Sequence, residues 1–244
     1  MRGELEPFFF SSDRLLKLSK TARKEYEHAY PFPYTYFDNF LPENLVKDLV
    51  TNFPNFKSSA WTTRSTTHRF QQKKLKINNE EKMPAVIRHL LNQFNSATFL
   101  EFLENLTGIN GLIPDPYFFG AGMHQIEKGG HLGIHVDFNW HEKLRLDRRV
   151  SVLLHLNEDW KEEYGGHLEL WNQDVTNCEV KLLPKLNRIV IFNNSDYSWH
   201  GHPDEMTCPD GRSRKSLAIY YYTNGSYLRQ RTRYHPRPGE KINR

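Results

Sequence analysis

His135 and Asp137 stand two residues apart in HLGIHVDFNW, residues 131–140, a run that otherwise reads as β-strand. Residues i and i+2 of a strand share a face. An imidazole and a carboxylate would therefore aim at one point, with Ile134 and Val136 on the other face. A motif this short recurs at His202-Pro203-Asp204. That copy lies in WHGHPDEMTCPDG, where Pro and Gly argue against a strand, so a surface loop is expected there. A metal pair needs a third ligand. Two His and one carboxylate on one face of Fe(II) leave positions open for a cosubstrate and O2. His200, just after the apolar run NRIVIF, is the candidate. A zinc site would call on a fourth protein ligand or a different spacing such as HExxH.

The next apolar run, RSRKSLAIYYYT, brings Arg214, with Ser216, Ala218 and Tyr220 at alternate positions on the same face. Small residues beside an inward Arg leave room for a ligand. A guanidinium presents a planar fork that fits a carboxylate, and a buried one near a metal is costly without such an anion. The pattern predicts an acidic ligand that reaches both the metal and Arg214.

These residues need elements to position them. Residues 12–30 read as a polar helical lead-in, and PFPYTYFDNF as a turn feeding a short extended segment. Leu45, Val46, Leu49 and Val50 recur at helical spacing behind Pro42, and apolar residues from Glu80 to about Thr107 suggest further helices. STTHRFQQKKLKINN is polar and reads as a loop. From about residue 116 to 226 the runs become short and rich in β-branched, aromatic and aliphatic residues, separated by Gly129-Gly130, Gly165-Gly166, Pro184 and Gly211. Many short strands without intervening helical patterns predict an all-β sandwich or barrel. The expected organisation is a lead-in over 1–30, a helical support region of the same domain over 31–115, a β core over 116–226, and a basic tail over 227–244.

A chain of 244 residues suffices for one sizeable core. No apolar run reaches the ~20 residues that span a bilayer, and no signal-peptide pattern opens the chain. With two cysteines, Cys178 and Cys208, and no disulfide framework, the compartment is expected to be cytoplasmic. The net charge of +4 is mild. The tail concentrates Arg229, Arg231, Arg233, Arg237, Lys241 and Arg244 against Glu240, which makes it either a solvated tail or an attractor of anions. No nucleic-acid motif is evident, and the sequence is silent on oligomeric state.

The segments HVDF, RRVSVLLHLNEDWKEEYGGHLELW, LPKLNRIVIFNNSDYSWHGHP and RSRKSLAIYYY together resemble the catalytic domain of the prolyl 4-hydroxylase-type Fe(II)/2-oxoglutarate dioxygenases. The resemblance covers roughly residues 117–223, with a weaker match at PFPYTYFDNFLPENL. It implies a double-stranded β-helix, a jelly-roll or cupin-like fold, mainly β with N-terminal helices. It implies His135, Asp137 and His200 as iron ligands and Arg214 as the partner of the far carboxylate of 2-oxoglutarate. His155, in LLHLN, stands where related oxygen-sensing enzymes carry a Tyr that touches that carboxylate; it is either a replacement donor or a core His. Ser216 and Tyr220 would line the cosubstrate pocket, and Gln125 either faces the site as well or is a plain structural amide. Asp159-Trp160 and Gly165-Gly166 read as architecture, and FNWHEKLRLD as either a substrate lid or a plain connection.

The resemblance implies hydroxylation of an unactivated C–H bond with consumption of O2 and release of succinate and CO2, with ascorbate a candidate auxiliary. A carboxylate at 137 leaves no slot for halide, which favours hydroxylation over halogenation. A prolyl residue of a protein or peptide, or a related amino acid, is the first expectation for substrate. A small metabolite or sugar-linked molecule is the second, because a fold does not fix a substrate. Outside this chemistry stand a cupin-type metal hydrolase or isomerase, and a binding or sensor protein that retains the pocket without turnover.

Overall fold

A computed structural model describes residues 8–65 and 71–225 and the backbone of residues 235–236. The arginines and lysine of the basic tail lie outside the described residues. Among the described residues there are four α-helices and thirteen strands. The helices come early: α1 (Ser12–Glu27), α2 (Glu43–Thr51), α3 (Ala85–Phe94) and α4 (Ala97–Thr107). Thirteen strands form one curled sheet: β1 (Tyr34–Phe37), β2 (Thr63–Ser65), β3 (Gln71–Ile77), β4 (Ile113–Pro114), β5 (Gly122–Val136), β6 (Trp140–His141), β7 (Leu146–His155), β8 (Leu168–Trp171), β9 (Cys178–Leu182), β10 (Arg188–Asn193), β11 (His200–His202), β12 (Ser213–Thr223) and β13 (His235–Pro236).

The main path runs β1-β10-β7-β12-β5-β11-β8-β9, and β5 belongs to both halves of the curl. Its first part pairs with β12, and its last part pairs with β11. Gly130 sits at the bend between them. A Cβ there would meet Ile126 Cγ2 at 2.6 Å and the carbonyl oxygens of Gln72 and Glu127 at 2.8 Å, so only glycine fits the close backbone approach. Gly129-Gly130 therefore does not end a strand, as a turn signal would suggest, but lets one long strand fold over.

Alternation gives the larger half of the sheet two distinct faces. Val150, Val152 and Leu154 of β7, Ile189 and Ile191 of β10, and Leu217 and Ile219 of β12 form one core with the helices. Leu15, Ser19, Ala22 and Tyr26 recur along α1 at helical spacing, and these buried residues put the helix down on that core. The Tyr221 hydroxyl donates to Phe94 O at 2.8 Å and ties β12 to α3. Removing one such fully buried aliphatic side chain to Ala costs about 2–5 kcal/mol, so this layer holds the opposite face in place. On that opposite face Val190, Phe192, Leu168, Leu170 and Leu182 fill one end of the interior, and polar residues occupy the rest.

Two expectations fail here. STTHRFQQKKLKINN is not all loop: β2 and β3 pair with each other and β3 extends the sheet along β5. Leu75 and Ile77 are fully buried, and that alternation with lysines made a strand. The support region over 31–115 is accordingly mixed rather than helical. His202 is not in a surface loop either. It belongs to β11 and is buried, while Asp204 beyond it is exposed.

Candidate active site

His200 of β11 pairs directly with His135 of β5, which brings together ligands 65 positions apart in the chain. Their ring centroids are 4.5 Å apart. His135 Nε2 lies 3.6 Å from Asp137 Oδ1, and His200 Nε2 lies 3.5 Å from Asp137 Oδ2. The three ligand atoms fall within 4.8 Å of one another, the one such group among the described residues. Each His donates from Nδ1 to a backbone carbonyl, His135 to Gly133 O at 2.8 Å and His200 to Ser198 O at 2.9 Å. Those bonds fix the tautomer and leave Nε2 as a lone pair aimed at the centre. Burial holds the pKa of His200 down to about 4, so it stays neutral and ready to ligate.

Asp137 has a partner that sequence reasoning missed. Arg148 of β7 is fully buried, donates to Asp137 Oδ2 at 2.6 Å and to Ser151 Oγ at 2.9 Å, and stacks 3.3 Å over the Tyr220 ring. Burial alone would raise the Asp137 pKa. The charge of Arg148, helped by the two imidazoles beside the carboxylate, reverses that and holds the carboxyl below its ordinary value. No motif announced Arg148; it reaches Asp137 only because β7 returns beside the β5 end after the β6 turn. In that turn Trp140-His141 forms strand β6, and His141 is buried with Nε2 3.4 Å from Asp115 Oδ1, so this part of the connection is anchored.

The cavity beside the triad is lined by Arg214, Ser216 and Tyr220 of β12, His124 and Ile126 of β5, His202, and Lys74 of β3. Arg214 is buried, and its Nε donates to Gly166 O at 2.7 Å. Gly166 is held close: a Cβ there would meet Met206 Sδ at 2.8 Å and Arg214 Cδ at 3.1 Å. The Gly165-Gly166 turn thus serves the site as well as the architecture. No carboxylate among the described residues pairs with Arg214, and burial pulls its pKa down to about 10, which still leaves it charged at neutral pH. His155 lies opposite Ser216 on the neighbouring strand, fully buried, with neither ring nitrogen hydrogen-bonded. Burial, then the charge of Arg214, keeps it neutral. His202 is in the same condition. His155 does not itself line the cavity, and Gln125 is turned away from it altogether. Its side chain donates to Ser213 Oγ on the opposite face of the sheet, because alternation gives the cavity His124 and Ile126 instead.

The family model described as the 2OG-Fe(II) oxygenase superfamily matches residues 121–222. The chain carries a 2OG-Fe(II) oxygenase domain. No curated protein matches the sequence. Among solved structures, a Pseudomonas putida prolyl-4-hydroxylase is similar at 16% identity and TM-score 0.58, over 84% of this chain and 99% of that one. A prolyl hydroxylase from Trichoplax adhaerens, solved with a hypoxia inducible factor peptide, is similar at 17% identity and TM-score 0.58, over 86% and 90%. HygX from Streptomyces hygroscopicus, solved with nickel, 2-oxoglutarate and hygromycin B, aligns at 10% identity and TM-score 0.50, over 78% and 83%. At these identities the likeness is one of fold, the double-stranded β-helix.

The residues of this oxygenase domain fit its cofactors. Two imidazoles and one carboxylate converge on one point, a donor set that fits Fe(II). A buried cation without an acid partner, beside orphaned imidazole nitrogens, fits the distal carboxylate of 2-oxoglutarate. Among the described residues no helix is long and apolar enough to cross a membrane.

Proposed function

We propose that this oxygenase hydroxylates a prolyl residue of a peptide or protein, with His135, Asp137 and His200 as the iron ligands and Arg214, Ser216, Tyr220 and His155 around 2-oxoglutarate. The observation that carries the cosubstrate part is the buried Arg214 with no acid to neutralise it. When bound, iron and 2-oxoglutarate supply an oxidative decarboxylation that drives hydroxylation of an unactivated C–H bond. The chain's own residues do the positioning. Arg148 keeps the Asp137 carboxylate ionised and oriented. Gly133 O and Ser198 O hold the two imidazoles in ligating tautomers. The apolar lining from Leu153, Leu168 and Phe192 limits water around the reacting centre.

For substrate, an aromatic lane leads out from the cavity. Tyr220 lies 6.1 Å from Phe138, and Phe138 lies 5.2 Å from Phe119, which is exposed. Flat apolar walls suit a compact, uncharged pyrrolidine ring. The prolyl hydroxylases of similar fold support the same reading. We place the enzyme in the cytoplasm, since both cysteines are free thiols and suit a reducing compartment.

The test is succinate formation from 2-oxoglutarate under air, with Fe(II) and ascorbate, for wild type and His200→Ala. The panel holds proline peptides, free amino acids and an aminoglycoside. Turnover stimulated by a proline peptide and absent in the variant is expected. Stimulation by the aminoglycoside alone would move the substrate to the sugar-linked class. Wild type that retains zinc and fails to bind 2-oxoglutarate would overturn the reading altogether.

A further inference from the structure

The cosubstrate cavity holds one more cation than a single distal carboxylate and Arg214 account for. Lys74 lines it from β3. Its placement follows from strand register. Lys74 pairs with Ile126 across β3 and β5, and Ile126 pairs with Arg214 across β5 and β12. Directly paired residues on neighbouring strands present side chains to the same face. Lys74, Ile126 and Arg214 therefore make one row across the cavity wall, with the two cations at its ends roughly 10 Å apart at Cα, at about 5 Å per strand step. A four-carbon stem can lean across an isoleucine over that span.

A local irregularity sets this register. The pairing of β3 with β5 shifts between Gln72 and Lys74, and the intervening Lys73 has φ of 54°. Lys73 itself turns outward, its Nζ donating to Lys128 O at 2.9 Å. Beyond the shift, Ile77 joins the core with the helices, so by alternation Lys74 is on the other face, where it lines the cavity. The charges of the cavity lining then read plainly. Arg148 is matched by Asp137. Lys74 and Arg214 have no acid within ion-pair distance among the described residues. Lys74 is half-buried, its pKa is lowered to about 8 by that burial, and a cation withdrawn from water without a partner is costly until an anion arrives.

We propose that Lys74 is a second cosubstrate-binding residue, which shares the distal carboxylate of 2-oxoglutarate with Arg214 from the opposite side of Ile126. The inference rests on the assignment of 2-oxoglutarate to this cavity. The alternative place for this ammonium is the keto-acid end at the metal, and the choice of ligands separates the two.

Dissociation constants are measured without oxygen, by calorimetry on Mn(II)-loaded protein, for wild type, Lys74→Met, Lys74→Arg and Arg214→Met. The ligands are 2-oxoglutarate and 2-oxopentanoate, which has the keto-acid but no distal carboxylate. Loss of one charge-assisted hydrogen bond predicts 2-oxoglutarate binding about tenfold or more weaker in Lys74→Met, and largely restored in Lys74→Arg. For 2-oxopentanoate the two proteins should bind alike. Thermal unfolding of the ligand-free protein is the second readout. Lys74→Met should unfold no earlier than wild type, because it removes an unpaired charge; a merely structural lysine would give earlier unfolding. Unchanged 2-oxoglutarate affinity in Lys74→Met, with Arg214→Met strongly impaired, would overturn the role of Lys74 and leave the cosubstrate assignment standing. So would an equal penalty for both ligands, which would move Lys74 to the keto-acid end. Absence of 2-oxoglutarate binding in wild type would remove the assignment itself.

Discussion

Replacing Arg148 by methionine isolates what that side chain does for Asp137. The substitution keeps bulk and removes charge, two hydrogen bonds and the stacking on Tyr220. It leaves a carboxylate only 13% exposed without its strongest opposing charge. Breaking a buried pair in this way costs about 3–5 kcal/mol. For a domain of this size, each kcal/mol lowers Tm by roughly 2–4 °C, so the metal-free variant should melt roughly 6–20 °C lower. The same loss should weaken Mn(II) or Fe(II) binding by about 10–100-fold, as removal of a ligand's hydrogen-bond partner typically does. The two readouts are chemical unfolding of metal-free protein and anaerobic metal titration. Saturating metal should recover part of the lost stability, because it binds only the folded state. Arg148→Lys should fall between, since an ammonium keeps the charge beside Asp137 but loses the planar stacking on Tyr220. A methionine variant within about 1 kcal/mol of wild type, with metal affinity within about twofold, would show that Asp137 does not depend on Arg148.

Gly201 separates the ligand His200 from His202, and a Cβ there would stand 2.7 Å from Gly133 O and 2.8 Å from Leu132 O. Those are backbone atoms, so Gly201→Ala should push β11 off β5, cost about 1–3 kcal/mol and reduce retained metal; wild-type metal content would refute this. Acid should destabilise the metal-free protein early. His124, His155 and His202 are all held well below 6.5 by burial and neighbouring cations, so from about pH 6.5 downward the unfolded chain binds protons that the folded one refuses. Stability then falls with falling pH, by up to ~1.4 kcal/mol per pH unit for each His. Urea midpoints at pH 7.5 and 5.5 check the sign, and equal midpoints would contradict it.

The triad was legible because a strand's period of two is visible in HVD and because His200 follows an apolar run that ends at the right edge of the sheet. Arg214, Ser216 and Tyr220 were legible for the same reason: alternate positions on one strand reach one cavity. Arg148 and Lys74 were not, since each depends on which strand lies next to which, and sequence spacing does not state adjacency. For Lys74 a signal existed in Lys-Leu-Lys-Ile, whose alternation the surrounding polarity masked. His202 was misread because Pro203 and Gly201 look like loop residues. Gly201 is there for close approach between strands, and β11 ends at His202 just ahead of the proline. For Gln125 the sequence left a pocket residue and a structural amide both open, because nothing in it states which face of the strand is turned to the cavity; the side chain bonds Ser213 on the other face.

That alternation of faces has a wider consequence for β12. Arg214, Ser216 and Tyr220 face the cavity, while Leu217, Ile219 and Tyr221 between and beside them hold the helices. A slip of one residue in pairing would send the guanidinium into the helical layer and leucine into the cosubstrate space. No mispaired form can keep a sound hydrophobic layer while losing only its chemistry. The polypeptide is thereby proofread as it folds: a copy that survives quality control as a stable molecule is, by construction, one whose catalytic face is in register.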